Sequence, residues 1–414
     1  MQQPTPWIER TIWWQVYPLG FTAAFPPRPQ PGRGLGHLIA WLDYARELGV
    51  NGLALGPIFA ASSHGYDTLD HFQIDPRLGD QSDFDALVSA CQQRGLRLML
   101  DGVFNHVSRQ HPWFQRALRE GPEGRYAGFF ALDWPNGQPR PRVFEGHGDL
   151  VALNHANPEV ALYVQQVMDH WLNRGADAWR LDAAYAVPDA FWRSVLPELR
   201  QDHRDAWFVG EVIHGDYARR VEAGGLDSVT QYELWKSTWS ALASRNFFEL
   251  DWTLKRHNGF LDHFLPLTFI GNHDVTRLAT AAGGDKAVLA LAVLMTVGGV
   301  PSIYYGDERG FEARKENRPG GDDAVRPAFP ATVAQLGAWG EPVYRAHQDL
   351  IGLRRRHPWL IRARSQPIDL TMTRYVYVVR GDGGELVVDL ELEPSPQVEI
   401  RDSVGRSLYR WPRA

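Results

Sequence analysis

The sequence predicts an α/β chain: a (β/α)8 TIM barrel with a small inserted domain after its third strand and a small C-terminal antiparallel β domain. Three observations carry this reading. Short apolar runs alternate with helix-like stretches from Ile12 onward, the pattern of parallel βα units. Between Val107 and His155 the pattern breaks into Pro, Gly and isolated aromatics, over a stretch too long for a plain βα connection. After the helix-like stretch 344–356 the apolar period becomes two, as antiparallel hairpins require.

Runs at 12–17, 52–55, 97–103, 178–181, 207–210, 228–232, 267–270 and 302–305 read as the barrel strands, because they are short and mostly apolar on both faces. Ser82 with Asp85 forms a capping-box pattern ahead of a helix ending near Arg94-Gly95, and Asn157-Pro158 opens another that runs to Arg174-Gly175. The uncharged run 287–305 is interrupted by Gly298-Gly299-Val300-Pro301, so it reads as a buried helix, a turn and a buried strand rather than a membrane span. Tyr375-Val376-Tyr377-Val378-Val379 and Glu385-Leu386-Val387-Val388-Asp389 flank Gly381-Asp382-Gly383-Gly384 as a hairpin. These signals divide the chain into a barrel at 1–106 and 156–357, an inserted domain at 107–155 and a C-terminal domain at 358–414. The Pro-rich segment 25–31 reads as a stiff loop after the first strand.

The 414 residues suffice for a barrel of about 250 residues with smaller units attached. A charged fraction of 22% and a net charge of −6 give no electrostatic footprint for nucleic acid and point to a substrate without strong charge. Most of the 16 Trp and 14 Tyr belong to cores, and only aromatics near functional acids bear on function. The one cysteine, Cys91, lies on a helix packing face and reads as structural. The N-terminal residues Met1 to Trp7 lack the basic start and apolar stretch of a secretory signal, which favours a cytoplasmic location.

Three carboxylates stand at the ends of three apolar runs: Asp182 after Ala178-Trp179-Arg180-Leu181, Glu211 after Trp207-Phe208-Val209-Gly210, and Asp274 after 267–273. An acid at the carboxyl end of a buried strand is costly unless a site uses its charge, and α/β barrels place their chemistry at those ends. Arg180 is two residues from Asp182, so both side chains leave one face and the guanidinium can hold the carboxylate ionised. That suits a nucleophile or, equally, an ion pair lining the barrel mouth. Glu211, in an apolar setting beside other acids, has the surroundings of a general acid. Asn272-His273-Asp274 offers polar groups for a ligand and lacks the spacing of a zinc motif. Together the acids fit retaining glycoside hydrolysis, which needs two carboxyls roughly 5 Å apart, one attacking and one protonating.

Over most of residues 12–330 the sequence resembles the α-amylase family of glycoside hydrolases. Asp101-Gly102-Val103-Phe104-Asn105-His106 is similar to the family's third-strand motif, 175–182 to its nucleophile motif, Gly210-Glu211-Val212 to its acid/base motif and 269–274 to its transition-state motif. Segments 52–59 and 299–308 resemble the second- and eighth-strand motifs. The resemblance implies Asp182 as nucleophile, Glu211 as acid/base and Asp274 as transition-state stabiliser. It also implies that Arg180 orients Asp182, that His106 and His273 bind sugar hydroxyls, and that Tyr66 stacks under the sugar being cleaved.

Asp149-Leu150-Val151-Ala152-Leu153-Asn154 and Gly210-Glu211-Val212-Ile213-His214 are similar to the neopullulanase and cyclomaltodextrinase subgroup. Three positions depart from it: the Pro-Lys before Leu153-Asn154 is missing, Ile213 replaces an aromatic, and Tyr185-Ala186 replaces Asn-Glu. All three border the subsite for the leaving sugar. The resemblance begins almost at the first strand, without the N-terminal domain of that subgroup, which makes short α-glucosides the expected substrates. Asp323 and Arg326, in loop 318–326, read as sugar contacts or as a solvated turn. The expected activity is hydrolysis of α-glucosidic bonds in short α-glucans with retention, with transglycosylation alongside. The alternatives are a glucosyltransferase or isomerase acting on a disaccharide such as sucrose or trehalose, and a non-catalytic sugar-binding barrel. Calcium is common in the family, bound partly by the residue matching Asn105, but Asp133, Glu145 and Asp149 are scattered and no metal or other cofactor is expected. Activity on α-glucosides is therefore expected to survive a chelator, and a loss restored by calcium would overturn that expectation.

Overall fold

The computed structural model describes residues 6–24, 34–318 and 320–412, so the expected stiff loop at 25–31 lies outside the described residues. Eight parallel strands form one sheet: β1 Trp13–Val16, β2 Gly52–Leu55, β3 Arg97–Gly102, β4 Ala178–Leu181, β5 Trp207–Gly210, β6 Ser228–Val229, β7 Leu267–Phe269 and β8 Val300–Tyr304. The order is β6-β5-β4-β3-β2-β1-β8-β7. A parallel bridge from Thr230 to Leu267 brings β6 against β7, and the Gln231 amide donates to the Leu267 carbonyl at 2.9 Å, closing the sheet into a barrel.

Every run expected as a barrel strand holds one; the first, third and seventh are trimmed by a residue at one or both ends, and the sixth and eighth differ further. The sixth is shorter, because the chain enters a helix at Tyr232. The eighth starts at Val300, two residues earlier than expected, and includes Pro301, paired with Thr268. The turn before it is completed by Gly299 at φ +102°, where a Cβ would stand 2.7 Å from the Pro266 carbonyl oxygen. The helix expected after Ser82 also begins earlier. Asp80 is its N-cap, accepting from the amides of Ser82 and Asp83 at 2.8 and 3.2 Å, while Asp83 accepts from the Asp80 amide at 2.9 Å. Asn157 caps Pro158–Asn173 as expected, accepting from the Glu159 amide at 2.9 Å.

Side-chain alternation separates two cores. Trp13, Ala54, Met99, Ala178, Trp207, Val209, Leu267 and Val300 point into the barrel, where the rings of Trp13 and Trp207 stack with centroids 6.2 Å apart. The alternate positions join a larger core against the surrounding helices. Within it, α1 (Ala287–Thr296) is buried at every position, and at and just beyond its end the carbonyls of Met295, Val297 and Gly299 accept from Arg354 at 3.0, 2.8 and 2.6 Å. Arg354 belongs to α2 (Glu341–Arg356). Among the described residues no helix is long and apolar enough to cross a membrane.

The 107–155 stretch holds the helix Pro112–Glu120, and His106–Ser108 pairs antiparallel with Leu150–Ala152 across it. At the C-terminus, β9 Arg364–Leu370, β10 Arg374–Gly381, β11 Gly384–Glu391, β12 Gln397–Asp402 and β13 Ser407–Trp411 form an antiparallel sheet in chain order. Gly381 pairs with Gly384, so Asp382-Gly383 is the expected tight hairpin loop.

Glu308, just past β8, is fully buried and accepts from the Tyr44 hydroxyl at 2.9 Å and the Gly306 amide at 2.8 Å. Burial pushes its carboxyl up to about 7 from an ordinary value of 4.5. A folded-state value above the unfolded one stabilises the fold at low pH, and that contribution is lost as pH rises from 4.5 through 7. Between pH 5 and pH 8 the native chain is expected to lose on the order of 2 kcal/mol more stability than Glu308→Gln in urea melts. Parallel losses in the two proteins would refute this.

Candidate active site

The inward face of the strands changes from apolar to charged towards their carboxyl ends. On β3 the inward series is Met99, Asp101; on β4 it is Ala178, Arg180 and then Asp182; on β5 it is Trp207, Val209 and then Glu211; on β1 Trp13 is followed by Gln15. Parallel register sets Arg180 beside Asp101 on one side and Val209 on the other, which brings these side chains to one level of the barrel mouth.

Arg180 is the hub. Its Nη1 donates to both oxygens of Asp101 at 2.7 Å and to Asp182 Oδ1 at 3.3 Å, and its Nη2 pairs with Glu211 Oε1 at 2.7 Å. The sequence led us to expect the guanidinium chiefly on Asp182; the shorter bonds go to Asp101 and Glu211, because strand register places Asp101 directly beside Arg180. Glu211 also accepts from the Tyr232 hydroxyl at 3.0 Å and from the Ala183 amide at 2.9 Å. Burial, and next the charge of Glu211, raises the Asp182 carboxyl well above the usual carboxylate range, and burial also raises Asp101. Burial and the Glu211 charge thus outweigh Arg180 at Asp182, against the expectation that the guanidinium holds this carboxylate ionised.

Asp274 is held differently. Arg326 Nη2 donates to its Oδ1 at 2.8 Å and His273 Nε2 lies 3.0 Å from its Oδ2. Burial raises this carboxyl, but His273, Arg326 and Arg180 outweigh it and hold it well below the usual range. The Tyr66 hydroxyl contacts His273 Nε2 and donates to Asp101 Oδ2 at 3.0 Å, and its ring lies parallel to the His273 ring with centroids 5.3 Å apart. His106 is bonded to the Tyr66 carbonyl at 3.1 Å, and burial pushes its imidazole down to about 3, so it is neutral.

Eight of the nine residues singled out from the sequence are thus linked in one network: Asp182, Glu211, Asp274, Tyr66, His106, Arg180, His273 and Arg326. Arg326 is buried and engages Asp274, the His273 carbonyl at 3.0 Å and the face of Tyr17. Asp323 is exposed, and its neighbour Asp322 is the acid that accepts from Arg326, at 3.1 Å.

Residues passed over in the sequence complete the network. Asp101 carries the same signal as the three chosen acids, a carboxylate closing an apolar run. Gln15 is a polar residue in the middle of a buried strand, and its Nε2 lies 3.3 Å from His273 Nδ1. Tyr232, which accepts from Asn272 Nδ2 at 2.9 Å, carries no local signal, since its role depends on how β6 ends. At the position expected to contribute to a calcium site, the Asn105 amide nitrogen lies 3.0 Å from His106 Nδ1. Among the described residues no group of three or more His, Cys, Asp or Glu could hold a metal ion.

Comparison with known proteins places this geometry. The α-amylase catalytic-domain model matches residues 15–335. A cyclomaltodextrinase of Geobacillus thermopakistaniensis (strain MAS1) is 32% identical over 434 residues, covering 96% of this chain and 71% of that protein. An intracellular maltogenic amylase of Bacillus subtilis is 32% identical over 347 residues, covering 77% of this chain and 58% of its own length, so the chain spans only part of these relatives. The solved structure of a cyclic α-maltosyl-(1→6)-maltose hydrolase from Arthrobacter globiformis superposes with a TM-score of 0.81 at 25% identity, over 98% of this chain and 99% of that one. With its family match, its barrel and its cluster of acids at the strand ends, the chain belongs to the α-amylase family.

Proposed function

We propose that this protein is a retaining glycoside hydrolase that cleaves α-glucosidic bonds in short α-glucans or oligosaccharides. The observation that carries the proposal is a single guanidinium, Arg180, bonded to Asp182 through one nitrogen and to Glu211 through the other. That arrangement suits the roughly 5 Å separation of a nucleophile and an acid/base. Asp182 attacks the anomeric carbon while Glu211 gives its proton to the glycosidic oxygen. The leaving sugar departs and a covalent glycosyl-enzyme forms. Glu211, now a carboxylate, takes a proton from water, which attacks the same carbon, expels Asp182 and restores the α configuration.

The charge distribution supports this division of labour. Asp274, held ionised by Arg326 and His273, remains an anion throughout and stabilises positive charge developing on the sugar ring. Asp182 and Glu211, with Arg180 between them, divide the displacement and the proton transfer. Tyr66 offers an aromatic face beneath the sugar, with His273 and the neutral His106 beside it for hydroxyl groups. Arg326 acts through Asp274 as a positioning residue, and Asp323 faces solvent at the rim. We read 107–155 as a small domain walling the cleft, and 358–414 as a separate C-terminal domain. A cytoplasmic setting is supported by the name of the Bacillus subtilis relative.

Asp182→Asn is expected to lower kcat on maltotriose by roughly 10³-fold or more with an unchanged circular dichroism spectrum. Substantial residual turnover would remove Asp182 as nucleophile. The first sugar released should carry the α anomer by NMR, and a β anomer would exclude retention.

A further inference from the structure

Beside the acid cluster, two walls of the cleft touch. The Tyr185 hydroxyl, on the loop after β4, donates to Glu145 Oε1 in the 107–155 stretch at 2.7 Å. Tyr185 belongs to the leaving-group side, because its amide donates to the Glu211 carbonyl at 3.2 Å and Glu211 is the residue that would protonate the departing oxygen. Its backbone is fixed from outside as well: Arg220 donates to the Tyr185 carbonyl at 3.0 Å and to Asp189 at 2.7 Å. The opposite wall is anchored by Phe144, whose ring stacks on His106 with centroids 4.6 Å apart and lies 6.4 Å from the Tyr185 ring. Glu145 itself holds a left-handed backbone at φ +47°, a conformation that a residue with a Cβ seldom adopts and that aims its carboxylate across the cleft.

Beyond this contact lies a groove of about 770 Å³. Phe144, Glu145 and Tyr185 line it, together with polar groups suited to sugar hydroxyls such as Asn105, Arg142 and Asn154, while Asp101, Asp182, Glu211 and Asp274 do not. The contact therefore borders the groove, while the Tyr185 amide joins the same wall to Glu211. We infer that the Tyr185–Glu145 hydrogen bond bridges the cleft on the leaving-group side and restricts substrates to short leaving groups, and that breaking it opens the groove to a longer α-glucan chain. This rests on the proposed hydrolase activity and names the selectivity of that same site. Tyr185 and Glu145 act as specificity determinants and touch none of the reacting atoms.

The test is the ratio of kcat/KM for maltohexaose to that for p-nitrophenyl α-glucoside, which cancels a general change in the chemistry. Glu145→Ala and Tyr185→Phe should each raise the ratio on the order of tenfold. Glu145→Gln keeps an acceptor for the hydroxyl and should keep the native ratio. A ratio unchanged or lowered in both bond-breaking variants overturns the inference. If the native protein turns over neither compound, the hydrolase reading fails by itself. The bridge is then judged by calorimetric titration with maltohexaose: affinity that rises in both bond-breaking variants supports it, and affinity that stays at the native value overturns it.

Discussion

Burying a guanidinium among carboxylates is the constraint around which this barrel mouth is organised. Arg180, Asp101, Asp182 and Glu211 are all less than a tenth exposed, and an isolated charge at such depth costs several kcal/mol. Arg180 offsets its cost by spreading its donors over all three carboxylates. One cation cannot neutralise three anions, however, so the cluster retains protons that exposed acids would lose, and the carboxyls of Asp101 and Asp182 are pushed up. Asp274 escapes this shortage because it has Arg326 and His273 of its own. The site thus separates carboxyls that can exchange a proton from one that stays charged, and that separation comes from the placement of two arginines.

Strand register makes the arrangement possible, and the apolar floor strengthens it. Arg180 and Asp101 meet because β4 and β3 are paired at those residues, so a slip of one residue would turn either side chain out of the barrel. Trp13 and Trp207 fill the interior below, keeping water from the charged layer on that side and lowering the dielectric around it. Gln15, on the same inward face as Trp13, reaches His273 from beneath, so the first strand also helps to orient the partner of Asp274.

The parts legible in the sequence were those with local causes. Each barrel strand was an apolar run, and Asp182 and Glu211 were conspicuous because each closes such a run with a carboxylate. The C-terminal hairpin was legible because Asp382-Gly383 demands a tight turn. Illegible features depended on partners distant in the chain. The N-cap was Asp80 because its carboxylate takes the two amides, a choice that spacing between Ser82 and Asp85 does not reveal. Arg326 could be read as a sugar contact until the fold buried it against Asp274, and Asp322 and Asp323 were distinguishable only by which one turned toward it. Arg180 was assigned to its near neighbour Asp182, whereas its shorter bonds reach Asp101 and Glu211 on adjacent strands.

The turn after β4 ties the acid cluster to the wall that carries Tyr185. Ala183 sits at φ +45°, a left-handed conformation that costs on the order of 1 kcal/mol for a residue with a Cβ. Its surroundings account for the strain: the turn aims the Ala183 amide at Glu211 Oε2, and two residues later the Tyr185 amide meets the Glu211 carbonyl. Asp182, Ala183, Tyr185 and Glu211 are therefore one rigid unit, joined by chain on one side and by two hydrogen bonds on the other. A change that shifts the backbone of the leaving-side wall must also shift an amide that holds the proposed acid/base. A change confined to the Tyr185 ring hydroxyl leaves those amides in place. Substitution on this side is thus compatible with an unaltered reaction so long as it is carried by side chains such as those of Tyr185, Ala186 and Ile213.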